Sequence, residues 1–318
     1  AGGSVAAYVD RVKAEVSCWS ASSDPEVVLG LAGARFVPRL SVCEFAGGLR
    51  PVVQSDGAYV ITGGTGGLGL ATARWLVDNG ARCLVLLSRS GVCAEGADRG
   101  DWERLGACDA EVLCLRCDVA VESSVVAALT AVRRAGVRIC GVVHCAGVLG
   151  DALYKVWNAK AKSAWWLHKH TMDDDLQMFI CYSSVASALG NFGQSSYSCA
   201  NRFLDALMAE RERQGLAGLS IQWPAISGVG MAAAGILQSN KTTNAMTETT
   251  MSPIELMEVV QNAVQSSMPS SVMMYLPRGI LPAWEESRIW PQISSIEKPA
   301  ALSAHERRGS ISSTVGNT

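Results

Sequence analysis

Charged side chains are scarce: Asp, Glu, Lys and Arg make up 18% of the 318 residues, against roughly a quarter in an ordinary soluble protein. With apolar residues at 49%, this composition excludes a disordered or fibrous chain and leaves ample material for a buried core. Neither sign of charge dominates. A net charge of −2 supplies no basic field of the kind that draws in nucleic acid or an anionic lipid surface. Long apolar runs are missing, and none approaches the roughly 18 residues that a membrane-spanning helix requires. No repeat at a solenoid period is present. The chain does not begin with Met, nor with a charged region followed by an apolar stretch, so it reads as a piece cut from something longer. By length, a prior of roughly 150 residues per domain allows two domains, or one large α/β domain with extensions.

Metal-ligand and disulfide patterns are also absent. The eleven cysteines are odd in number and scattered. Cys83, Cys114, Cys140, Cys145 and Cys181 fall in or beside apolar strand-like runs, where a thiol behaves as a small hydrophobe. That usage points to a reducing compartment, the cytoplasm or an organelle interior. Cys114 and Cys117 form a C-x-x-C, but on a strand positions three apart face opposite ways, so the pair reads as structural. His168 and His170 are two apart on a helical pattern and do not share a face. No metal site is expected.

Between residues 58 and 276, short apolar runs alternate with longer helical patterns. The expected strands are 58–62, 83–87, 111–117, 139–144, 177–182, 220–223 and 271–276, near-continuous apolar runs as in parallel strands covered on both faces. Helical patterns occupy 68–79, 121–135, 158–170, 197–214 and 252–265, the first stopped by Asn79-Gly80. This alternation predicts an α/β fold, a Rossmann-like doubly wound parallel sheet of about seven strands with right-handed crossovers. Residues 1–55 are too few for a core of their own, which needs more than about 40–60 residues. Residues 297–318 are rich in Ser, Ala and Gly and read as a flexible linker. Residues 227–250, small and polar, read as a mobile segment over a site.

The strongest local signal is Thr62-Gly63-Gly64-Thr65-Gly66-Gly67-Leu68-Gly69, set between the first strand and the first helix. Glycines let the chain turn sharply and bring amides close to a pyrophosphate, and the helix N-terminus adds partial positive charge. A structural turn is the competing reading. A site for NAD would place Asp or Glu roughly 20 residues on, to accept the ribose 2′-hydroxyl. Here the second strand ends in Leu87-Ser88-Arg89-Ser90. A guanidinium can hold a 2′-phosphate in a fork, so NADPH is favoured. Asp118-Val119 ends the third strand, where such a pair can hold adenine. His144-Cys145-Ala146-Gly147 ends the fourth, where small residues let a ribose pass. At successive strand ends on one edge, they read together as a cofactor floor.

The fifth strand runs into Tyr182-Ser183-Ser184, and Tyr197 opens the next helix, with Asn201 one turn on along the same face. Tyr197 lies 13 positions after Ser184 and 37 after Lys160. Hydride reduction of a ketone leaves negative charge on oxygen, which needs a proton donor. A phenol with its ordinary pKa of about 10 does this poorly unless a nearby ammonium favours the phenolate. A serine hydroxyl would fix the carbonyl oxygen, and an asparagine would hold a water chain that resupplies the proton.

These residues resemble the short-chain dehydrogenase/reductase superfamily, and within it the β-ketoacyl reductase domain of modular polyketide synthases and animal-type fatty acid synthases. The matching stretches are 59–69, 84–89, 117–119, 142–149, 160–168, 182–201 and 221–232. The general superfamily places its lysine four residues after the tyrosine, where this chain has Asn201. Synthase ketoreductases supply it from the preceding helix, and register on Trp165 and Leu167-His168 prefers Lys160 over Lys162. The resemblance thus implies a tetrad of Lys160, Ser184, Tyr197 and Asn201, with Lys160 and Tyr197 also touching the cofactor. It implies that residues 1–55 are the remnant of a structural half, that 56–296 are the catalytic domain, and that 297–318 lead toward a following domain. The implied partners are other domains of the same synthase and an acyl carrier protein bearing the β-ketoacyl thioester.

The chain departs from the family pattern in three places. Leu149-Gly150-Asp151 stands where one stereochemical class has Leu-Asp-Asp, and Leu189 falls where the opposite class has tryptophan. Together they lean toward the 3R-hydroxy class. Pro224 follows Trp223 where glycine is usual; proline donates no N–H, so contacts to the nicotinamide there must differ. Two other readings stand beside the synthase reductase: a free-standing carbonyl reductase, and a catalytically silent scaffold of the same fold.

Overall fold

The computed structural model describes residues 28–29, 35–36, 53–94, 97–148, 150, 152–191, 193–227, 250–265 and 272–274. The chain forms two compact units, one of Ala1–Val42 with Pro282–Thr318 and the other of Cys43–Leu281. In the first, β1 (Val28–Leu29) pairs antiparallel with β2 (Arg35–Phe36). The second holds a seven-stranded, wholly parallel sheet.

The sheet strands are β3 (Ala58–Thr62), β4 (Cys83–Ser88), β5 (Glu111–Arg116), β6 (Ile139–His144), β7 (Met178–Ser184), β8 (Leu219–Trp223) and β9 (Val272–Met274). Their order is β5-β4-β3-β6-β7-β8-β9. The chain winds outward from β3 to one edge, then returns beside β3 and winds to the other. That reversal opens a crevice at the carboxyl ends of β3 and β6.

Alternate residues of each strand feed two separate cores. From β3 and β4, Tyr59, Ile61, Leu84 and Leu86 pack against α1 (Gly67–Asp78) and α8 (Pro253–Gln265). Ala58, Val60, Val85 and Leu87 face the other way, toward α3 (Glu122–Arg134), α5 (Ser163–His170) and α7 (Ser195–Arg213). The C-x-x-C divides by the same rule: Cys114 lies against the first core and Cys117 within the second. All nine described cysteines are free thiols. His168 and His170 likewise diverge, the first to buried Arg211 and the second to Glu122 at the surface. Among the described residues no cluster could hold a metal ion, and no helix is long and apolar enough to cross a membrane.

Local signals explain several boundaries. α1 stops in a Schellman motif: Gly80, at φ +107°, donates to Val77 O and Ala81 donates to Leu76 O. The helix α2 (Arg99–Gly106), absent from the apolar periodicity, is started by Asp98, whose carboxylate caps the amides of Gly100 and Asp101. The helical pattern at 158–170 begins earlier than periodicity suggests, with α4 (Leu153–Trp157). It then passes through a π-turn (Asn158–Lys162) into α5 without leaving helical dihedrals. α7 begins two residues before Tyr197. A short turn of helix, α6 (Ala186–Leu189), follows β7. Of residues 227–250, only the two ends fall within the described residues.

Gly141 on β6 is paired with Tyr59 on β3, and the tyrosine ring occupies the space a side chain would need: a Cβ there would sit 2.4 Å from Tyr59 Cδ1. Gly141→Ala is therefore expected to cost about 1–3 kcal/mol of stability through overpacking, measured by urea denaturation. An unchanged midpoint would show that the ring has room to move.

Candidate active site

A cleft of about 1110 Å³ opens at the switch point, lined by the glycine turn, Ser88–Ser90, Cys117–Ala120, Cys145–Val148 and the start of the α4 helix. Of the residues expected to bind a cofactor, Gly63, Thr65, Gly66, Gly67, Leu68, Gly69, Ser88, Arg89, Asp118, Val119, Cys145, Ala146 and Gly147 all line it. Thr62 and Gly64 do not. Thr62 is wholly buried, with its hydroxyl bonded to His144 and to the Ala146 amide, so it braces the turn from beneath. Gly64 is buried behind the turn, its amide donating to Leu87 O. Pro224 is buried at the end of β8, and Leu189 is half-buried at the end of α6; neither lines the cleft. Asp151 lies outside the described residues.

The turn has the tight form a pyrophosphate cradle requires. Gly63 adopts φ +64°, and its missing side chain admits the Ala146 backbone, 3.1 Å from where a Cβ would be. At Gly69 a Cβ would meet Gly63 O at 2.2 Å and Gly64 Cα at 2.6 Å, both immovable backbone. The first helical turn of α1 carries no capping side chain, so its leading amides face the cleft unclaimed. No ion pair of Arg89 occurs among the described residues. A cleft of this size, with bare helix amides at one strand end and a guanidinium at the next, fits a phosphorylated dinucleotide.

None of the four catalytic candidates lines the cleft, including Lys160 and Tyr197, both also expected to touch the cofactor; they gather behind its inner wall. Gly147 lines the cleft, and a Cβ on it would collide with Lys160 Cε at 2.8 Å, so the lysine stem runs directly behind that wall. The Lys160 ammonium is buried; it donates to Tyr182 O at 2.6 Å and Asn201 Oδ1 at 2.8 Å, and lies 5.5 Å from the centre of the Tyr197 ring. Asn201 Nδ2 donates to Tyr197 O at 2.8 Å. Ser184 neighbours the Tyr197 hydroxyl, its own Oγ accepting from the Ala186 amide at 3.2 Å, and the Tyr197 ring packs in one cluster with Val148 of the cleft wall. Lys162, the competing lysine, is exposed over the Trp166 ring at 5.6 Å.

Two expectations change. The carboxamide of Asn201, expected to hold a water chain, is committed to Lys160 and to the Tyr197 carbonyl. The pKa of Tyr197 is raised rather than lowered: burial outweighs the opposing influence of Asn201 and Ser184. Burial also pulls Lys160 down to about 8.

His144 escaped the sequence reading except as part of a strand end. It is wholly buried, with Nε2 donating to Lys160 O at 3.0 Å and Nδ1 accepting from Thr62 Oγ1 at 2.7 Å, a pattern that fixes one neutral tautomer. Ser163 Oγ also donates to Lys160 O at 2.9 Å.

A family model for the KR domain matches residues 57–228, more than half of the chain. The chain belongs to the KR, or ketoreductase, domain family. This ketoreductase domain is 37% identical over 275 residues to the phenolphthiocerol synthesis polyketide synthase type I Pks15/1 of Mycobacterium bovis, covering 82% of this chain and 12% of that protein. It is 38% identical over 230 residues to the erythronolide synthase EryA2 of Saccharopolyspora erythraea, covering 69% of this chain and 6% of that protein. It therefore spans only a small part of these curated relatives. Among solved structures, the first ketoreductase of the tylosin PKS superposes with a TM-score of 0.68 at 30% identity, over 84% of this chain and 58% of that one. An A1-type ketoreductase gives 0.67 at 28%, over 87% and 58%. The domain thus has the α/β Rossmann-like fold of polyketide synthase ketoreductases, an oxidoreductase family that uses nicotinamide cofactors.

Burial and the neighbouring Lys160 charge push His144 down to about 3 from 6.5. The unfolded chain therefore takes up a proton between those values that the native domain refuses. Stability falls as pH drops through that window, by at most about 1.4 kcal/mol per pH unit. His144→Gln is expected to flatten the pH dependence of urea-unfolding stability between pH 6.5 and 4; a slope equal to the wild type would place that proton elsewhere.

Proposed function

We propose that this ketoreductase domain uses NADPH to reduce a β-ketoacyl thioester, delivered on an acyl carrier protein, to the β-hydroxyacyl thioester. The observation that carries the reading is the convergence of Ser184, Tyr197, Asn201 and Lys160 behind the wall of a cleft whose far strand end presents Arg89. Other domains of the same synthase are its natural neighbours. The free thiols support a reducing compartment such as the cytoplasm.

On this reading the glycine turn and the α1 amides would hold the pyrophosphate, Arg89 the 2′-phosphate, and Asp118 and Val119 the adenine. A reduced nicotinamide held in the cleft would supply hydride to the carbonyl carbon. Ser184 orients the substrate carbonyl oxygen. Tyr197, kept protonated by burial, stands loaded as the acid and gives its proton to that oxygen as negative charge builds there. The phenolate left behind forms beside the Lys160 ammonium, whose charge stabilises it. Asn201 holds that ammonium in place.

The deciding experiment is NADPH consumption with a β-ketoacyl thioester, followed by chiral analysis of the product. Turnover of free ketones but not thioesters would favour a free-standing carbonyl reductase, and cofactor binding without any turnover a silent scaffold. Tyr197→Phe should leave NADPH affinity nearly intact and lower turnover by roughly 10²–10⁴-fold, the range for losing a general acid; surviving turnover would remove the phenol from its role. Arg89→Ala should weaken NADPH far more than NADH in a titration of each, and equal losses would end the phosphate assignment.

A further inference from the structure

One helical turn beyond Asn201, α7 carries Asp205 on the face already holding Tyr197. Asp205 is 3% exposed. Its carboxylate accepts three hydrogen bonds: from Ser220 Oγ at 2.6 Å, Ser187 Oγ at 2.7 Å and Gln222 Nε2 at 2.7 Å. The donors come from two different elements. Ser187 belongs to α6, the turn directly after Ser184, and Ser220 and Gln222 share one face of β8. All three are neutral. Stability alone would be served as well by an apolar residue, because burying a carboxylate without a cationic hydrogen-bond partner costs several kcal/mol.

Among the described residues, the buried ammonium of Lys160 lies one helical turn back, bonded to Asn201. Lys160 is surrounded by His144 at the end of β6 and Cys145 just after it, by Cys181 and the Tyr182 carbonyl of β7, and on α7 by Tyr197, Asn201 and, one turn farther along the same face, Asp205. His144 is held neutral, and burial drives both thiols and the phenol upward, so none of them is anionic near neutral pH. Asp205 is the remaining source of negative charge among these described residues, and it favours the protonated lysine.

We propose that Asp205 is a positioning residue of the reductase site: it ties the Tyr197 helix to the Ser184 turn and to β8, and supplies the negative charge that balances the Lys160 ammonium. The proposal rests on the reductase reading for its catalytic consequence, but not for its electrostatic one. The electrostatic part is tested in the cofactor-free 318-residue chain by NMR titration of lysine Cε–Hε signals, with Lys160 assigned from Lys160→Arg. In Asp205→Asn the Lys160 midpoint is expected to move to lower pH by half a unit or more; an unmoved midpoint overturns the charge role whether or not the domain proves to be a reductase.

With NADPH and a β-ketoacyl thioester, Asp205→Asn is expected to lower kcat about 10- to 100-fold, with KM and NADPH affinity within about threefold. The alkaline limb of kcat should shift to lower pH. A profile that superposes on the wild type after scaling overturns the proposal, whereas a wild-type chain without turnover overturns the function instead. Ser187→Ala leaves the carboxylate and cuts only the tie to the Ser184 turn. It keeps the test alive should Asp205→Asn fail to fold, and should lower kcat with the lysine midpoint unmoved. Unchanged kcat in Ser187→Ala removes the positioning role.

Discussion

A buried ammonium gripped from both ends holds the rest of the site in register. The Lys160 carbonyl accepts from His144 and Ser163, and its side-chain nitrogen donates to Tyr182 O and Asn201 Oδ1. Those contacts link the α4–α5 helix to β6, to the end of β7 and to α7, the elements that must agree for a phenol, a hydroxyl and a cofactor floor to meet. Taking an ammonium out of water costs several kcal/mol, and two neutral acceptors offset only part of that. The fall of the lysine to about 8 from 10.5 is the unoffset remainder, equivalent to about 3 kcal/mol against the charged form. The fold supports this cost by packing: the strands around it are buried on both faces and cannot shift to let water in.

The lysine stem also explains why the cleft is shaped as it is. Gly147 lacks a side chain because the Lys160 methylenes occupy its place, and Gly63 lacks one because the Ala146 backbone does. The wall between cofactor cleft and catalytic cluster is therefore about one backbone thick. His144 spans the same wall from within, joining Thr62 beneath the glycine turn to the Lys160 carbonyl. A shift in the glycine turn would thus be felt at the lysine through one imidazole.

Most of the architecture could be read from periodicity, because parallel strands covered on both faces have few ways to look. β3 and β6 fall where their apolar runs lie, and Asn79-Gly80 marks the stop that the Schellman bonds of α1 make. Strand-end chemistry is legible for the same reason: once the order of strands is known, Arg89, Asp118 and Gly147 must share an edge. What escapes depends on contacts between distant residues. Thr62 reads as part of the glycine turn, yet its hydroxyl belongs to His144, 82 positions away. The π-turn at Asn158–Lys162 has no cue in Asn-Ala-Lys-Ala-Lys, since a widened turn arises from the packing it serves. Asp205 does leave a trace, an acid beside Leu204, Leu207 and Met208 on the buried side of the helix. Composition treats such a residue as exposed unless its three donors are known. Spacing gives the opposite direction for the Tyr197 shift because it shows a neighbouring cation but not the desolvation the half-buried phenol meets.

Burial moves both the proposed acid and the cation beside it toward their neutral forms, the phenol up and the lysine down. On a resting-state view this looks wasteful, since each charged form alone is penalised. The two penalties share one remedy. When Tyr197 gives up its proton, an anion appears beside a cation that until then is bonded only to a carbonyl and a carboxamide, and each charge relieves the other in a medium of low dielectric. The arrangement is therefore better matched to the state after proton transfer than to the one before it, which is the condition for lowering a barrier rather than merely binding a substrate. The buried polar network around Lys160 is then the means of storing that mismatch: its dipoles are oriented by the fold before the substrate arrives, so no reorganisation is required at the moment charge moves.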